Sequence, residues 1–221
     1  ADGIEVTRAA TFQRKAGLMP DPDAPLFFWP SRLDPIQKGC QLLSDILYQV
    51  ISDYWDDNLQ IAFVANGSYQ EVFHDIVEFH GFHHRVAVCD FDDSFSHLAY
   101  GASNFTLMPS RFEPCGLPQM ICQYYGSLPL AHDTGGLHDT IEDLNLEANT
   151  GNGYLFKNYD TGGLRWAIDQ GMKFHKLPIE VKERQLRRIM KEAAERFNHN
   201  VTARAYINIY ENMLHRPLVN R

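Results

Sequence analysis

Four adjacent residues, Glu113-Pro-Cys-Gly116, place a carboxylate, a thiol and a glycine in one short loop. The loop, Ser110 to Gly116, follows the apolar run Asn104-Phe-Thr-Leu-Met108 and precedes an amphipathic stretch. A helix starting near Gly116 offers unpaired N–H groups and a positive dipole end to a ligand. Glycine there admits a ligand close to the backbone. Glu113 suits sugar hydroxyls better than phosphate; equally, the loop reads as a tight connector with Glu113 as the helix cap. A second loop, Ser31 to Gly39, carries Arg32 and Lys38. Arginine supplies bidentate contacts and lysine a point charge, so the two together would clamp a diphosphate. Taken alone, that loop is also compatible with a solvated basic turn. A third segment, Thr134-Gly135-Gly136, reads either as close backbone contact with a ligand or as a turn with a helix cap.

Other chemistries are disfavoured. The chain contains no G-x-x-x-x-G-K-[ST] and no G-x-G-x-x-G after a strand, which argues against a P-loop nucleotidase and a dinucleotide dehydrogenase. His80, His83 and His84 lack a cysteine or carboxylate at matching spacing, so no metal site is expected and the segment reads as a surface helix end. The net charge of −8 speaks against nucleic acid as a partner. Cys40, Cys89 and Cys122 lie in apolar segments and read as buried free thiols; no CxxC pair occurs. No apolar run is long enough to span a bilayer and no leader pattern is evident, so the expected setting is the cytoplasm, or a plastid in a plant or alga.

The elements that would position these residues alternate along the chain. Apolar runs at 26–31, 60–65, 85–89, 104–108, 127–131 and 153–156 read as strands. Helical spacing appears at 39–54, 69–80, 92–101 and 117–125, and from 161 to 214. A short helix is expected over 9–18. Such alternation predicts an α/β fold: a Rossmann-like, doubly wound parallel sheet of about six strands with helices on both faces. Residues 1–23 read as an N-terminal segment or linker and 24–221 as the domain. The unusual loops all follow strands, where open α/β sheets place their ligands.

In order and spacing, S-R-L-x(3)-Q-K-G, P-S-R-F-E-P-C-G-L-x-Q and T-G-G-L-x-D-T together resemble bacterial glycogen synthases and plant starch synthases. P-S-R-F-E-P-C-G-L is the most specific of the three. The resemblance covers roughly residues 24–212 and corresponds to the C-terminal lobe of a two-lobed GT-B glycosyltransferase. An N-terminal lobe carrying K-x-G-G-L is expected as its partner. The resemblance implies that Arg32 and Lys38 bind the donor diphosphate and stabilise the departing nucleotide. It makes Glu113 the essential acid near the transferred glucose. Cys115, Gly116 and Leu117 become the loop whose backbone meets phosphate and sugar, and Thr134, Gly135 and Gly136 a second loop beside the phosphates. Phe91 falls where the family often has a tyrosine against adenine.

The chain departs from the family pattern at several points. The Arg32–Lys38 loop is one residue longer. Pro118 stands where threonine is common, Ile121 where many related transferases have a second acid, Asn66-Gly-Ser-Tyr69 replaces G-x-G-D/E, and Asn198-His199 replaces Ser-Trp. The implied activity is transfer of glucose, with retention, from ADP-glucose or UDP-glucose to the non-reducing end of an α-1,4-glucan, with no cofactor or metal. The isolated lobe is expected to be inactive alone. A competing reading is an inactive nucleotide- or glucan-binding module without an acceptor lobe.

Overall fold

A computed structural model describes residues 2–218, with side chains from Arg8 onward. Six parallel strands form one sheet in the order β3-β2-β1-β4-β5-β6. They are β1 (Leu26–Trp29), β2 (Gln60–Val64), β3 (Val86–Cys89), β4 (Phe105–Met108), β5 (Leu128–His132) and β6 (Tyr154–Phe156). β1, β2, β4 and β5 are buried throughout, which is why their sequences are continuous apolar runs without alternation. Successive side chains still feed opposite faces. Phe27, Trp29, Ile61 and Phe63 enter one core, and Leu26, Phe28, Ala62 and Val64 the other.

The first core is closed by α2 (Cys40–Asp53), α3 (Gln70–His80), α7 (Thr161–His175) and α8 (Ile179–Arg196). α2 shows how: Leu43, Leu47 and Val50, at helical spacing, are fully buried. Each such side chain contributes roughly 1.5–3 kcal/mol. The second core lies under α1 (Asp2–Ala16), α4 (Asp93–Ala102) and α5 (Pro118–Tyr125). Asp92 and Asp160 cap α4 and α7 by accepting from the N–H groups of Phe95 and Gly163, both at 2.7 Å.

Several boundaries differ from the sequence expectation. The helix expected at 9–18 runs over Asp2–Ala16. The segment expected as a linker, 1–23, is part of the domain in its described side chains: Phe12 is fully buried and stacks on Phe95 at 4.9 Å. Its polar surface hid the single face that packs. A short helix, α6 (Gly135–Thr140), follows β5. The C-terminal helical region divides into α7, α8 and α9 (His199–Leu214), broken by Pro178 and by the Asn198 cap. α9 has no buried residue. Of the cysteines read as buried, Cys40 and Cys122 are; Cys89 is half-buried.

The strand order fixes where a site can form. The chain winds from β1 outward to β3, then crosses back to lay β4 on the other side of β1. β1 leads to α2 on one face and β4 to α5 on the other, so the reversal in winding falls between the loops that follow these two strands, where such sheets form a ligand crevice at their carboxyl edge.

Candidate functional site

The loops at that crevice are 30–39, after β1, and 109–117, after β4. Asp34 shapes the first: its Oδ1 accepts from the N–H groups of Ile36 (2.9 Å) and Gln37 (2.8 Å). The Gln37 N–H holds the Asp34 carboxyl below its ordinary range, aided by the Ile36 N–H and the charges of Arg32 and Lys38. Gly39 closes the loop at φ 75°, where an added Cβ would stand 2.0 Å from the Pro109 carbonyl oxygen. The two loops thus meet backbone to backbone, and the Arg111 N–H donates to the Gln37 carbonyl at 2.8 Å.

This contact delivers Lys38 to Glu113. Their side chains pair at 2.5 Å and are only 12% and 9% exposed. Ser110 Oγ donates to the same carboxylate oxygen at 3.2 Å. Ser110 is held in turn by buried His132, whose Nδ1 lies 2.8 Å from its carbonyl oxygen. A carbonyl only accepts, so Nδ1 carries the proton. Glu113 is therefore not a helix cap. α5 starts with Pro118 after Leu117, with no side-chain cap; Pro118 has no N–H to offer and the Met120 N–H donates to the Leu117 carbonyl at 2.9 Å, so the open end of the helix is the backbone around Leu117 and Gln119. Pairing with Lys38 offsets the carboxylate charge that would otherwise oppose an anion at this helix end.

The loop after β5 braces the Glu113 loop from the other side. The Gly136 N–H donates to the Glu113 carbonyl at 2.8 Å. A Cβ on Gly135 would meet that carbonyl oxygen at 2.2 Å, and one on Gly136 would meet the Cys115 oxygen at 2.0 Å. The close approach that paired glycines signal in sequence is thus made, in part, to the chain's own backbone. Buried Gln119 finishes the loop, donating to the carbonyls of Cys115 (3.0 Å) and Gly116 (3.1 Å). At the rim, His138 Nδ1 lies 2.6 Å from Asp133, which raises the histidine pKa.

On the far side of β1, the Leu33 N–H donates to the Asn66 carbonyl at 3.0 Å. The Asn66 side chain accepts from the Phe91 N–H at 2.8 Å. The structure thus gathers Lys38, Glu113, Cys115, Gly116, Gly135 and Gly136 into one cluster. Thr134 sits half-buried as the residue before α6, and Leu117 is exposed. Arg32 is exposed on the shoulder of the β1 loop. The exposed ring of Phe91 lies at the end of β3, two strands or roughly 10 Å from β1. Sequence reasoning did not single out Asp34, Ser110, Gln119 or His132. Asp34-Pro35 is a local turn signal and Ser110 lay inside the motif. Gln119 and His132 act on other segments, so no local pattern marks them.

Comparison with known proteins bears on this site. The family described as "Glycosyl transferases group 1" matches residues 14–196. The chain is 33% identical to a glycogen synthase of Acholeplasma laidlawii over 201 residues, 90% of this chain and 40% of that protein. It is 34% identical to a glycogen synthase of Bacillus subtilis over 165 residues, 74% and 33% of the respective lengths. Among solved structures, the catalytic domain of starch synthase IV from Arabidopsis thaliana, bound to ADP and acarbose, superposes with a TM-score of 0.74. That match has 27% identity over 86% of this chain and 41% of the other. Anabaena HepE in complex with UDP, at 17% identity and a TM-score of 0.70, shares the fold over 93% of this chain and 53% of its own. The chain spans about two-fifths of the length of the glycogen synthases it resembles.

Proposed function

The chain belongs to the group 1 glycosyl transferases and is a glycogen-synthase-like domain of GT-B architecture, and we propose that it is the lobe that holds the nucleotide sugar during α-1,4-glucan elongation. The observation that carries this reading is the Lys38–Glu113 pair, set across the strand crossover beside an uncapped helix N-terminus. That arrangement pairs an acceptor for sugar hydroxyls with donors for a diphosphate. ADP bound to the starch synthase IV neighbour supports the same assignment.

In this account the donor is ADP-glucose, with UDP-glucose the alternative, and the acceptor is the non-reducing end of a glucan. Transfer proceeds with retention through an oxocarbenium-like transition state, and negative charge builds on the leaving diphosphate. Arg32, Lys38 and the N–H groups at the start of α5 meet that charge, without a metal or cofactor. A preorganised donor of this kind is typically worth about 3–4 kcal/mol in the barrier. Glu113 holds the glucosyl hydroxyls, kept in place by Ser110 and Lys38. Phe91 packs on the nucleobase, and the backbones of Cys115–Leu117 and Thr134–Gly136 flank sugar and phosphates. An N-terminal lobe supplies the acceptor site and docks on α9, whose Tyr206, Ile209, Tyr210 and Met213 are exposed. These residues alone bind ADP but transfer little glucose, because closure of two lobes is needed to exclude water.

Incorporation of labelled glucose into glycogen by the two-lobed enzyme carrying Glu113→Ala tests the reading, run in parallel with ADP-glucose and UDP-glucose. A fall in kcat on the order of 100-fold or more is expected. Near-normal turnover would remove Glu113 from the site.

A further inference from the structure

His132 ends β5 at a place where the strand's own pattern calls for an apolar residue. Leu128 and Leu130, four and two residues earlier, are fully buried in the first core, and the strand period sends the side chain at 132 to the same face. An imidazole stands there instead, 9% exposed, with the Phe156 ring 5.4 Å and the Tyr159 ring 5.0 Å from its own. A polar ring so enclosed needs a hydrogen-bond partner. It finds one on the loop after β4, where the Ser110 carbonyl accepts from Nδ1 at 2.8 Å.

The same stretch of chain holds the other end of that segment. The Gly136 N–H donates to the Glu113 carbonyl at 2.8 Å. Residues 132–136 therefore pin both Ser110 and Glu113, and Ser110 Oγ closes the segment by donating to Glu113 Oε2 at 3.2 Å. The Gly136 contact fixes the backbone at Glu113, but not the rotation of its side chain. Among the described residues the carboxylate has two side-chain partners, Lys38 and Ser110. Lys38 is the closer, yet its ammonium must also meet the diphosphate of the donor. The Ser110 hydroxyl has no such second task. Its position follows from that of its own backbone, which His132 holds.

We propose that His132 is a positioning residue for glucosyl transfer. By holding the Ser110 carbonyl it keeps Ser110 Oγ, and through it the Glu113 carboxylate, in place while Lys38 turns to the leaving diphosphate. The inference rests on the donor-lobe function proposed above. His132 touches neither sugar nor phosphate in this account, so its loss spares nucleotide binding and slows transfer. A group at the reacting centre displaced by roughly 1 Å can cost about 100-fold in rate.

Steady-state kinetics of the two-lobed enzyme tests the proposal, with the donor it turns over, ADP-glucose or UDP-glucose, and with calorimetry of ADP and UDP on the same proteins. His132→Asn keeps an N–H at the δ position, His132→Gln moves it one bond farther, and His132→Leu removes it. In the Leu and Gln variants kcat and kcat/KM should fall together, by about tenfold or more. The Asn variant should recover most of that loss, and nucleotide affinity should stay unchanged in all three. Asn and Gln carry the same amide, so their comparison stands even where His132→Leu does not fold. Ser110→Ala combined with His132→Gln should lower kcat little beyond the more damaging single change, because both act through one contact. Wild-type kcat in the Gln variant, equal losses in Asn and Gln, or losses that multiply in the double variant overturn the role of His132 alone. Near-normal turnover in Glu113→Ala, by contrast, sinks the donor-lobe reading and this inference with it.

Discussion

Lys38 and Glu113 answer two demands with one contact. They are largely removed from water, so each needs the other, and each is also needed by the proposed substrate. Breaking a nearly buried pair strands one charge, at a typical cost of about 3–5 kcal/mol. Lys38→Met should lower unfolding free energy in urea by about that amount, and adding Glu113→Leu should recover most of it. Equal losses in the single and double variants would show that the pair is not coupled. His138 offers a gentler test at the rim. Asp133 raises its pKa, so their attraction stabilises the fold below the ordinary histidine value and is lost as pH rises through the raised one. NMR titration should place His138 above about 6.5, and Asp133→Asn should bring it down.

Among the elements, the loops at the carboxyl edge are held by backbone approaches that tolerate no side chain. Gly136→Ala would drive a methyl group into the Cys115 carbonyl. The Glu113 loop would have to move, so ADP affinity should fall at least tenfold with a lower Tm. Gly162→Ala is the contrast, because its Cβ would find only an ordinary 3.4 Å contact in the first turn of α7. It should raise stability by about 0.4–1 kcal/mol in thermal unfolding and leave binding untouched. The elements themselves were legible in sequence wherever an apolar run met a turn signal: the runs at 60–65 and 104–108 became β2 and β4 with a residue's difference at one end. α1 was legible only over its second half, as a short helix at 9–18, because Phe12 is one large residue in a polar stretch. The glycine pair was legible as a close approach, but not as an approach to the Glu113 loop, since spacing along the chain does not say which strand lies alongside.

At the scale of the whole molecule, α9 stands apart. It buries no side chain, yet exposes Tyr206, Ile209, Tyr210, Met213 and Leu214. A helix with so little tertiary support opens readily. Hydrogen exchange should be fast across α9 and slow across α7 in this chain, and slow in both when an N-terminal lobe is joined to it. Protection of α9 equal to that of α7 in the lone chain would contradict the docking role. The strand order, by contrast, could not be read from sequence. It follows from which strand the β3–β4 crossover returns to, and it is this crossing that sets the Arg32–Lys38 loop against the Glu113 loop.

The central claim is that those two loops together hold the diphosphate of a nucleotide sugar, and calorimetry of the chain with ADP measures it most directly. Wild-type protein should bind ADP, and Arg32→Ala with Lys38→Ala should weaken binding by at least tenfold, provided circular dichroism shows the fold intact. ADP bound equally well by the folded double variant would contradict the account.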